Sequence, residues 1–447
     1  MKNKRIGFLF MTAVLLLTIN VRAQEKKQLT LSEAIELGVK NSKQLKINFE
    51  KIEEATAALK EAEEKRLPDA SLSGAYLRIL SSKFDLKSSN NNNGGGGSSN
   101  SQPPNVSQAV YGIVNASLPI YTGGRIRFGI ESANYLEQAA KLDAENNKDE
   151  IIQNTIEAFA NLFKAKTAVK LMQENLQQSQ QREKDFTNLE KNGLLARNDL
   201  LKAQLQTSSV ELNLLDAQNS LQLATINMDL MLGLSTSTEL ELDTTGIEKR
   251  NDNRTLEDFL QAAATNRKDM LAVDYRKKAA IADVKSTEAQ LYPNLQLTGG
   301  YIAADIPKFL TVTNTVNLGL GVSYNIGSLW KTKAKVQQTE ARAKEIALTE
   351  AMMGDDLERQ VNKSYLTLIS NRKKIEVYAK AVEQADENYK IIKNKFDNSL
   401  ATTTDLLEAD VAQFQAKLSY TLARADAFVA YHKLLQTAGI LSSELKK

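Results

Sequence analysis

The stretch "TVNLGLGVSYNI", residues 315–326, alternates apolar side chains with polar or small ones without a break. The apolar positions are Val316, Leu318, Leu320, Val322, Tyr324 and Ile326. Side chains two residues apart lie on the same face of a β-strand, so this pattern predicts a strand with one apolar and one polar face. No charged residue occurs from position 309 to position 330, which is typical of a strand between lipid and water. The Gly, Asn and Thr content argues against a membrane-spanning helix over the same residues.

Three further strands follow from the same reasoning. A weaker alternation with the same phase places apolar side chains at Val110, Val114, Ala116, Leu118 and Ile120. A partner strand precedes each of the two, introduced by Pro68 in one case and by Pro293 in the other. The sequence therefore predicts strands over about 70–80, 107–120, 294–303 and 313–326. Each is long enough to supply the roughly 9–11 residues that cross a bilayer at a tilt.

The chain contains an internal duplication. The phrase "TLSEAIELGVKN" at 30–41 is answered by "TLEDFLQAAATN" at 255–266, so that Thr30 corresponds to Thr255. From Ile120 onward the offset is smaller but again constant, and Ile120 corresponds to Ile326. Two constant offsets predict a first repeat over 24–247 and a second over 248–447. The extra residues of the first repeat fall around "SSNNNNGGGGSSNSQPPN", 88–105, whose composition predicts a solvated loop facing the outside of the cell.

Nearly everything else is predicted to be helical. Residues 125–191 contain no proline and no glycine after Gly129. Residues 330–398 contain no proline and a single glycine, Gly354. Each of the two segments therefore predicts a helix of about 100 Å. A heptad seam in the second helix predicts coiled-coil packing with a returning helix. The seam consists of Ile375, Tyr378, Val382, Ala385, Tyr389, Ile392 and Phe396, and continues through Leu407, Val411, Phe414 and Leu418.

Each long helix is followed by the same turn-like phrase. "KNGLLARNDLLKAQ" at 191–204 is echoed by "DNSLATTTDLLEAD" at 397–410. Each repeat is thus expected to run through a shorter helix, two strands, a long helix, a turn and a returning helix. Asp405 and Glu408 are three residues apart in the first turn of a helix, so both carboxylates can lie on one face. An N-capping role alone would explain the same acids.

Four strands cannot close a barrel, and open strand edges are not tolerated in lipid. The chain is therefore expected to share its strands with copies of itself. Two copies would give eight strands, whereas three would give twelve and begin to leave a lumen. The sequence predicts more than one copy and favours more than two.

Four phrases resemble the TolC-type outer-membrane efflux channel family: "LTLSEAIELGVKNSKQL", "LPDASLSGAY" with "LYPNLQLTGGY", "SLPIYTGGRIR", and the turns that end in "DLLKA" and "DLLEA". They occur in the order found in the family. The resemblance implies a mixed fold: four strands per chain in a shared trimeric β-barrel, and long coiled-coil helices in a periplasmic α-barrel. It implies a homotrimer in outer-membrane lipid, with a periplasmic adaptor and an inner-membrane transporter as partners. Such a channel is a passive exit duct for efflux or type I secretion, gated at its periplasmic end.

The resemblance also assigns roles near the turns. It places aperture acids at Asp405 and Glu408, and at Asp199 an acid that ties the turn of the neighbouring copy. The family expects a tyrosine and an arginine to close the aperture where this chain has Phe396 and Ala401. The closing contacts must therefore differ here, and Arg197 and Asn198 are the nearest candidates.

The N-terminus has the pattern of a secretory signal. Basic residues are followed by an apolar run and by "VRA" at 21–23, so cleavage is expected after Ala23. The leader contains Lys2, Lys4, Arg5 and Arg22, which leaves the exported part nearly neutral and gives no reason to expect nucleic acid as a partner. The expected location is the outer membrane of a Gram-negative envelope, with an extension into the periplasm.

An enzyme is poorly supported. The sequence has no Cys, a single His and no Gly-rich phosphate loop, so no catalytic, cofactor or metal site is expected. His432 lies in phase with the apolar seam and is expected to be a packing residue. A periplasmic coiled-coil adaptor or a structural envelope protein is the alternative, but neither explains two charge-free amphipathic hairpins.

Overall fold

The computed structural model describes residues 26–80, 107–243, 252–307 and 310–445. The expected signal peptide and the expected loop over 88–105 lie outside these ranges. The elements of the first half are β1 (Lys26–Leu29), α1 (Leu31–Asn41), α2 (Lys43–Glu64), β2 (Asp69–Arg78), β3 (Gln108–Tyr121), α3 (Arg125–Lys191) and α4 (Arg197–Leu232). The second half has β4 (Glu239–Leu242), α5 (Leu256–Asn266), α6 (Lys268–Glu288), a 3₁₀ turn (Ala289–Leu291), β5 (Asn294–Ile306), β6 (Leu310–Ser323), α7 (Ser328–Asp397), α8 (Thr403–Thr437) and α9 (Leu441–Glu444).

The two echoed threonine phrases are helix starts. The hydroxyl of Thr30 accepts a hydrogen bond from the backbone N–H of Glu33, 3.2 Å away, at the start of α1. The hydroxyl of Thr255 accepts one from Asp258 N–H at 3.3 Å, and the Asp258 carboxylate bonds back to the Thr255 N–H in a capping box. The repeated threonine phrase is thus a repeat of helix caps.

Four strands form one antiparallel sheet in the order β2-β3-β5-β6. Residues opposite one another across an antiparallel sheet lie on the same face, and one such row is Leu72, Val114, Tyr301 and Val316. The next row, Ser71, Asn115, Gly300 and Asn317, lies on the other face. The apolar side chains of β6 at 316, 318, 320 and 322 are 68–78% exposed. The register therefore separates an apolar face from a polar one, as the alternation predicts.

Two details of the strands differ from the sequence-based prediction. The alternation places Ile120 on the apolar face, but a bulge between Pro119 and Tyr121 brings Tyr121 opposite Leu295 instead. Proline has no N–H to donate to the ladder, which accounts for an irregularity at this point. In the second hairpin β6 ends at Ser323, so the side chains at 324 and 326 continue the alternation beyond the last paired residue.

The structure contains a second, two-stranded sheet that the sequence analysis does not predict. β1 and β4 pair in parallel, with Leu29 opposite Leu242. Leu29 and Leu240 are buried in the main apolar core, which also contains Phe159, Met228, Leu434 and Leu435. His432 is buried as well, and its ring centroid lies 4.4 Å from that of Phe428. Its predicted packing role is confirmed.

By contacts between Cα atoms, the chain divides into two compact units, and each takes residues from both halves. The first contains residues 1–50, 142–271 and 352–447, and the second contains 51–141 and 272–351. The four-stranded sheet belongs to the second unit, whereas both interhelical turns belong to the first. The expected division at 247/248 is thus a division of the sequence, and the two repeats remain a proposal.

Within the described ranges, no helix combines the length and the apolar character needed to cross a membrane.

Candidate functional site at the two helical turns

The turn after α3 and the turn after α7 have the same backbone geometry. Leu194 N–H bonds to Leu189 C=O at 2.8 Å and Gly193 N–H to Glu190 C=O at 2.9 Å. The second turn repeats both bonds at the matching positions, from the N–H groups of Leu400 and Ser399. This pair of bonds is the Schellman ending of a helix, which needs a residue in the left-handed region. The echoed phrase therefore encodes an abrupt end to each long helix.

The left-handed position is filled differently in the two turns. Gly193 has φ +72° and Ser399 has φ 63°. In this region the Cβ atom of a residue lies too close to the backbone, which destabilises the conformation, whereas glycine has no Cβ atom and adopts it without this cost. Ser399→Gly is therefore expected to stabilise its turn by about 0.5–1 kcal/mol, and Gly193→Ala to destabilise the other by about 1 kcal/mol. Hydrogen exchange at the Leu400 and Leu194 amides measures both, and opposite signs are expected. Slower exchange in both variants would contradict the geometry.

The helices that follow the turns begin differently. Thr402 and Asp405 form a capping box, in which the Asp405 carboxylate accepts from the Thr402 N–H at 2.8 Å and from its hydroxyl at 2.7 Å. Ala196, at the start of α4, gives no side-chain cap. The hydrogen bonds from Thr402 lower the pKa of Asp405 below its usual range, so this carboxylate is charged at neutral pH. Glu408 lies one turn further along α8 and is exposed.

Lys202 connects the two turns. Its ammonium lies 3.2 Å from the carboxylate of Asp199 and also 3.2 Å from the hydroxyl of Thr404. Through Lys202, Asp199 is linked to the second turn of its own chain, and its expected contact with the neighbouring copy stays a prediction. Lys202 and Glu408 occupy the same position of the echoed phrase, and this charge reversal in "DLLKA" and "DLLEA" is the sequence signal that could have identified Lys202.

Aromatic stacking holds the two long helices together near the turns. The ring of Phe396 stacks on that of Phe186, with centroids 5.4 Å apart. Phe186 is buried in a small cluster with Leu200 and Leu406. Phe396 therefore replaces the expected tyrosine by an apolar contact. Asn198 is exposed and is not drawn into this cluster.

A buried ion pair lies further along the helices from the turns. Arg182 on α3 and Asp410 on α8 make two N–H···O contacts, at 2.9 and 3.1 Å. Their side chains are only 9% and 3% exposed. Burial opposes the charge on Arg182, but the hydrogen bond and charge of Asp410, together with Tyr389, raise its pKa. This bidentate ion pair joins the long helix of the first repeat, α3, to the returning helix of the second repeat, α8.

The same pair corrects the predicted seam of α8. The heptad spacing places Leu407 and Val411 in the seam, but Val411 is 45% exposed. Leu406, Ala409 and Asp410 are buried instead. Asp410 pairs with Arg182 and Leu406 joins the Phe186 cluster, so in the first turns of α8 the buried positions precede the predicted ones by one residue. Sequence spacing cannot anticipate this, because the buried position is a carboxylate.

No group of three or more His, Asp or Glu side chains suited to a metal ion occurs in the described parts of the chain.

A family model described as outer membrane efflux protein matches residues 34–234 and 259–439. No curated protein sequence matches the chain. Several solved structures share its fold. The outer-membrane protein VceC from Vibrio cholerae is 19% identical, with a TM-score of 0.75 over 92% of this chain and 96% of that one. The CmeC outer-membrane channel of Campylobacter jejuni is 16% identical, with a TM-score of 0.76 over 93% and 88%.

The open state of the MtrE outer-membrane channel of Neisseria gonorrhoeae is 16% identical to the chain. Its TM-score is 0.71 over 92% of this chain and 89% of that one. At such identities the solved structures establish the fold alone. The family model spans both halves of the chain and establishes membership of the family. The chain therefore belongs to the outer membrane efflux protein family, TolC-like channel proteins of the Gram-negative outer membrane that extend into the periplasm.

Proposed function

We propose that the chain assembles as a homotrimer into a channel-tunnel that serves as the exit duct of a tripartite efflux or type I secretion system. Three copies of the four-stranded sheet would close a twelve-stranded barrel in the outer membrane. The long helices would continue this barrel as a periplasmic α-barrel that is gated at the two turns. A periplasmic adaptor and an inner-membrane transporter would be its partners.

The unpaired edges of the sheet carry this proposal. In the part of the chain that the structure describes, β2 pairs only with β3, and β6 pairs only with β5. An open edge in lipid would leave a row of backbone N–H and C=O groups without hydrogen bonds, at several kcal/mol each. The apolar side chains of β6 are also exposed on one face of the sheet, and the contact of so many of them with water is unfavourable. Pairing β6 of one copy with β2 of the next would satisfy the edges, and lipid around the closed barrel would cover the apolar face.

Cysteine pairs test the closure, since the natural chain has no cysteine. Ser71→Cys on β2 is combined in turn with cysteine at Thr315, Asn317 and Gly319 on β6. Oxidation in membranes is expected to give covalent products of up to three copies for at least one of these pairs. The control pair Ser71→Cys with Asn115→Cys lies on neighbouring strands of one chain and should give no intermolecular product. If all pairs yield only monomer, the shared sheet is wrong.

The turns are the proposed gate. The Phe186 cluster, the Lys202 bridge and the Arg182–Asp410 pair together hold four helix ends in one place. In a trimer Asp405 and Glu408 would form rings of three carboxylates around the axis. Rings of this kind attract cations and repel anions. Asp199, Asn198 and Phe396 would support the same aperture from the adjoining helix ends.

Asp405→Asn with Glu408→Gln is expected to leave the trimer assembled and to reduce its cation selectivity in planar bilayers. An amide oxygen at position 405 can still accept a hydrogen bond from the Thr402 N–H, so this variant removes charge while it retains that bond of the capping box. The matched control is Thr402→Ala, which breaks the capping box but leaves both carboxylates in place. Lost selectivity in the control as well, or unchanged selectivity in the double variant, would reduce these acids to helix caps.

A periplasmic coiled-coil adaptor or a structural envelope protein remains the alternative. Either would use the helices, but neither needs an amphipathic sheet with two open edges. Covalent trimers through β2 and β6 together with channel conductance would exclude both alternatives.

A further inference from the structure

A cavity lies beside the sheet, within the unit that contains the four strands. Its volume is about 940 Å³, and its lining comes from the end of β3, the first turns of α3 and α7, and the end of α6. Tyr121 belongs to the lining and stands opposite Leu295, on the apolar face of the sheet. Tyr121, Leu295 and Val322 form one row of that face, so the cavity reaches the apolar face at Tyr121.

The inner surface of the cavity is aromatic and aliphatic. Tyr121, Phe128, Tyr292 and Leu329 contribute to it. The neighbouring Trp330 is 65% exposed. Tyrosine and tryptophan are enriched where a membrane protein meets the headgroup layer, because their rings are apolar at one end and polar at the other. This end of the sheet thus has the composition of a membrane–water boundary.

The lining of the cavity also includes two residues of each charge. Lys285 and Glu288 are three residues apart on α6, and Lys333 and Glu340 lie on α7. The Lys285 ammonium lies 5.7 Å from the centroid of the Phe128 ring. Among the described residues, no carboxylate lies within ion-pair distance of either lysine. Two cations and two anions therefore face the same apolar hollow without neutralising each other directly.

A second cavity in the same unit provides a contrast. It has a volume of about 810 Å³ and is lined by Ser117, Gln296 and Ser323 from the polar face of the sheet, together with Leu295 from the last row of the apolar face. Its remaining lining includes Glu61, Lys65 and Arg125. Its described lining contains no aromatic side chain. Aromatic side chains together with charges of both signs therefore line the cavity at Tyr121, whereas the second cavity has the charges without the aromatic side chains.

We infer that the aromatic-lined cavity beside Tyr121 binds the headgroup of one zwitterionic glycerophospholipid, whose acyl chains lie along the apolar face of the sheet. The lysines would bind the phosphate, and the glutamates would bind the ammonium group. A purely anionic headgroup would face Glu288 and Glu340 unfavourably, so the charge pattern favours a zwitterion. This inference rests on the proposed membrane position of the strands. The bound lipid would fix the depth of the sheet in the membrane.

Native mass spectrometry of the purified trimer tests the site with three probes: phosphatidylethanolamine, phosphatidylglycerol and inorganic phosphate. One phosphatidylethanolamine per chain is expected to remain bound, in preference to phosphatidylglycerol. Lys285→Gln with Lys333→Gln is expected to lower this retention at least fivefold. The control, Lys331→Gln with Lys344→Gln, removes the same charge from exposed positions of α7 outside the cavity and should retain the lipid.

Glu288→Gln with Glu340→Gln is expected to reverse the preference, because phosphatidylglycerol no longer meets the two carboxylates. This variant decides the matter also if the lysine variant does not assemble. Equal retention in wild type and variants, no headgroup preference, or displacement of the lipid by millimolar phosphate would overturn the inference. Conductance and strand cross-linking report on the channel independently, so a failed lipid site and a failed channel can be told apart.

Discussion

Asp410→Ala is expected to destabilise the turn region by about 3–5 kcal/mol, the largest effect of any single substitution near the proposed gate. The Arg182 and Asp410 side chains are 9% and 3% exposed, and they meet through two N–H···O contacts. Removing the carboxylate leaves a guanidinium with its charge buried and uncompensated. Since arginine cannot shed its proton near neutral pH, the helix ends must separate to admit water.

Hydrogen exchange and conductance measure this result together. Amides at 183–203 and 403–412 should exchange faster in Asp410→Ala, and the proposed channel should open more often in planar bilayers. The control is Arg182→Met with Asp410→Leu, which replaces both charges by apolar side chains of similar volume. Such replacements of buried pairs are often neutral or stabilising. The double variant should therefore regain slow exchange. Fast exchange in the double variant would contradict this explanation. It would show that the turns need the ion pair itself and that an apolar replacement cannot close them.

The turns and strands could be predicted from the sequence because their signals are local. A Schellman ending depends on a few consecutive residues, so the echo of "KNGLL" in "DNSLA" transfers its geometry from the first half of the chain to the second. Alternation over β6 likewise reports which face each side chain occupies. The capping box of Thr402 and Asp405 was also within reach, as the alternative explanation of the acids.

The contacts that join distant segments could not be predicted in the same way. Lys202 reaches Thr404, and Arg182 reaches Asp410, from one half of the chain to the other. A charged residue in a helix ordinarily indicates a solvated face, so nothing in the local pattern distinguishes Asp410 from its exposed neighbours. The pairing of β1 with β4 has the same cause, because such short strands have too few positions to show a period. The bulge at Pro119 depends on the strand opposite it.

A buried carboxylate on α4 gives the second large effect. Asp229 is 0% exposed, and neither of its carboxylate oxygens accepts a hydrogen bond from the described residues. It lies in the last turn of α4, where the helix dipole also disfavours negative charge. Burial alone raises its pKa to about 6, from an ordinary value of 3.8. Between pH 3.8 and about 6 the carboxyl is therefore mostly protonated in the folded protein and mostly ionised in the unfolded chain.

The sign of the pH dependence follows from this difference. Below pH 4 the carboxyl is largely protonated in both states and costs little, whereas between pH 4 and 6 the unfolded chain gains stability as it ionises. Above pH 6 the penalty is constant, at up to about 3 kcal/mol.

Asp229→Asn is thus expected to raise the free energy of unfolding at pH 8 by up to about 3 kcal/mol and to change it little at pH 4. Denaturation of the helical part, followed by circular dichroism at both pH values, measures this. Asp216→Asn, an exposed position on the same helix, is the matched control and should show no such difference. A wild-type pH dependence that persists in Asp229→Asn would mean that the pKa of this carboxyl is not raised in the folded protein.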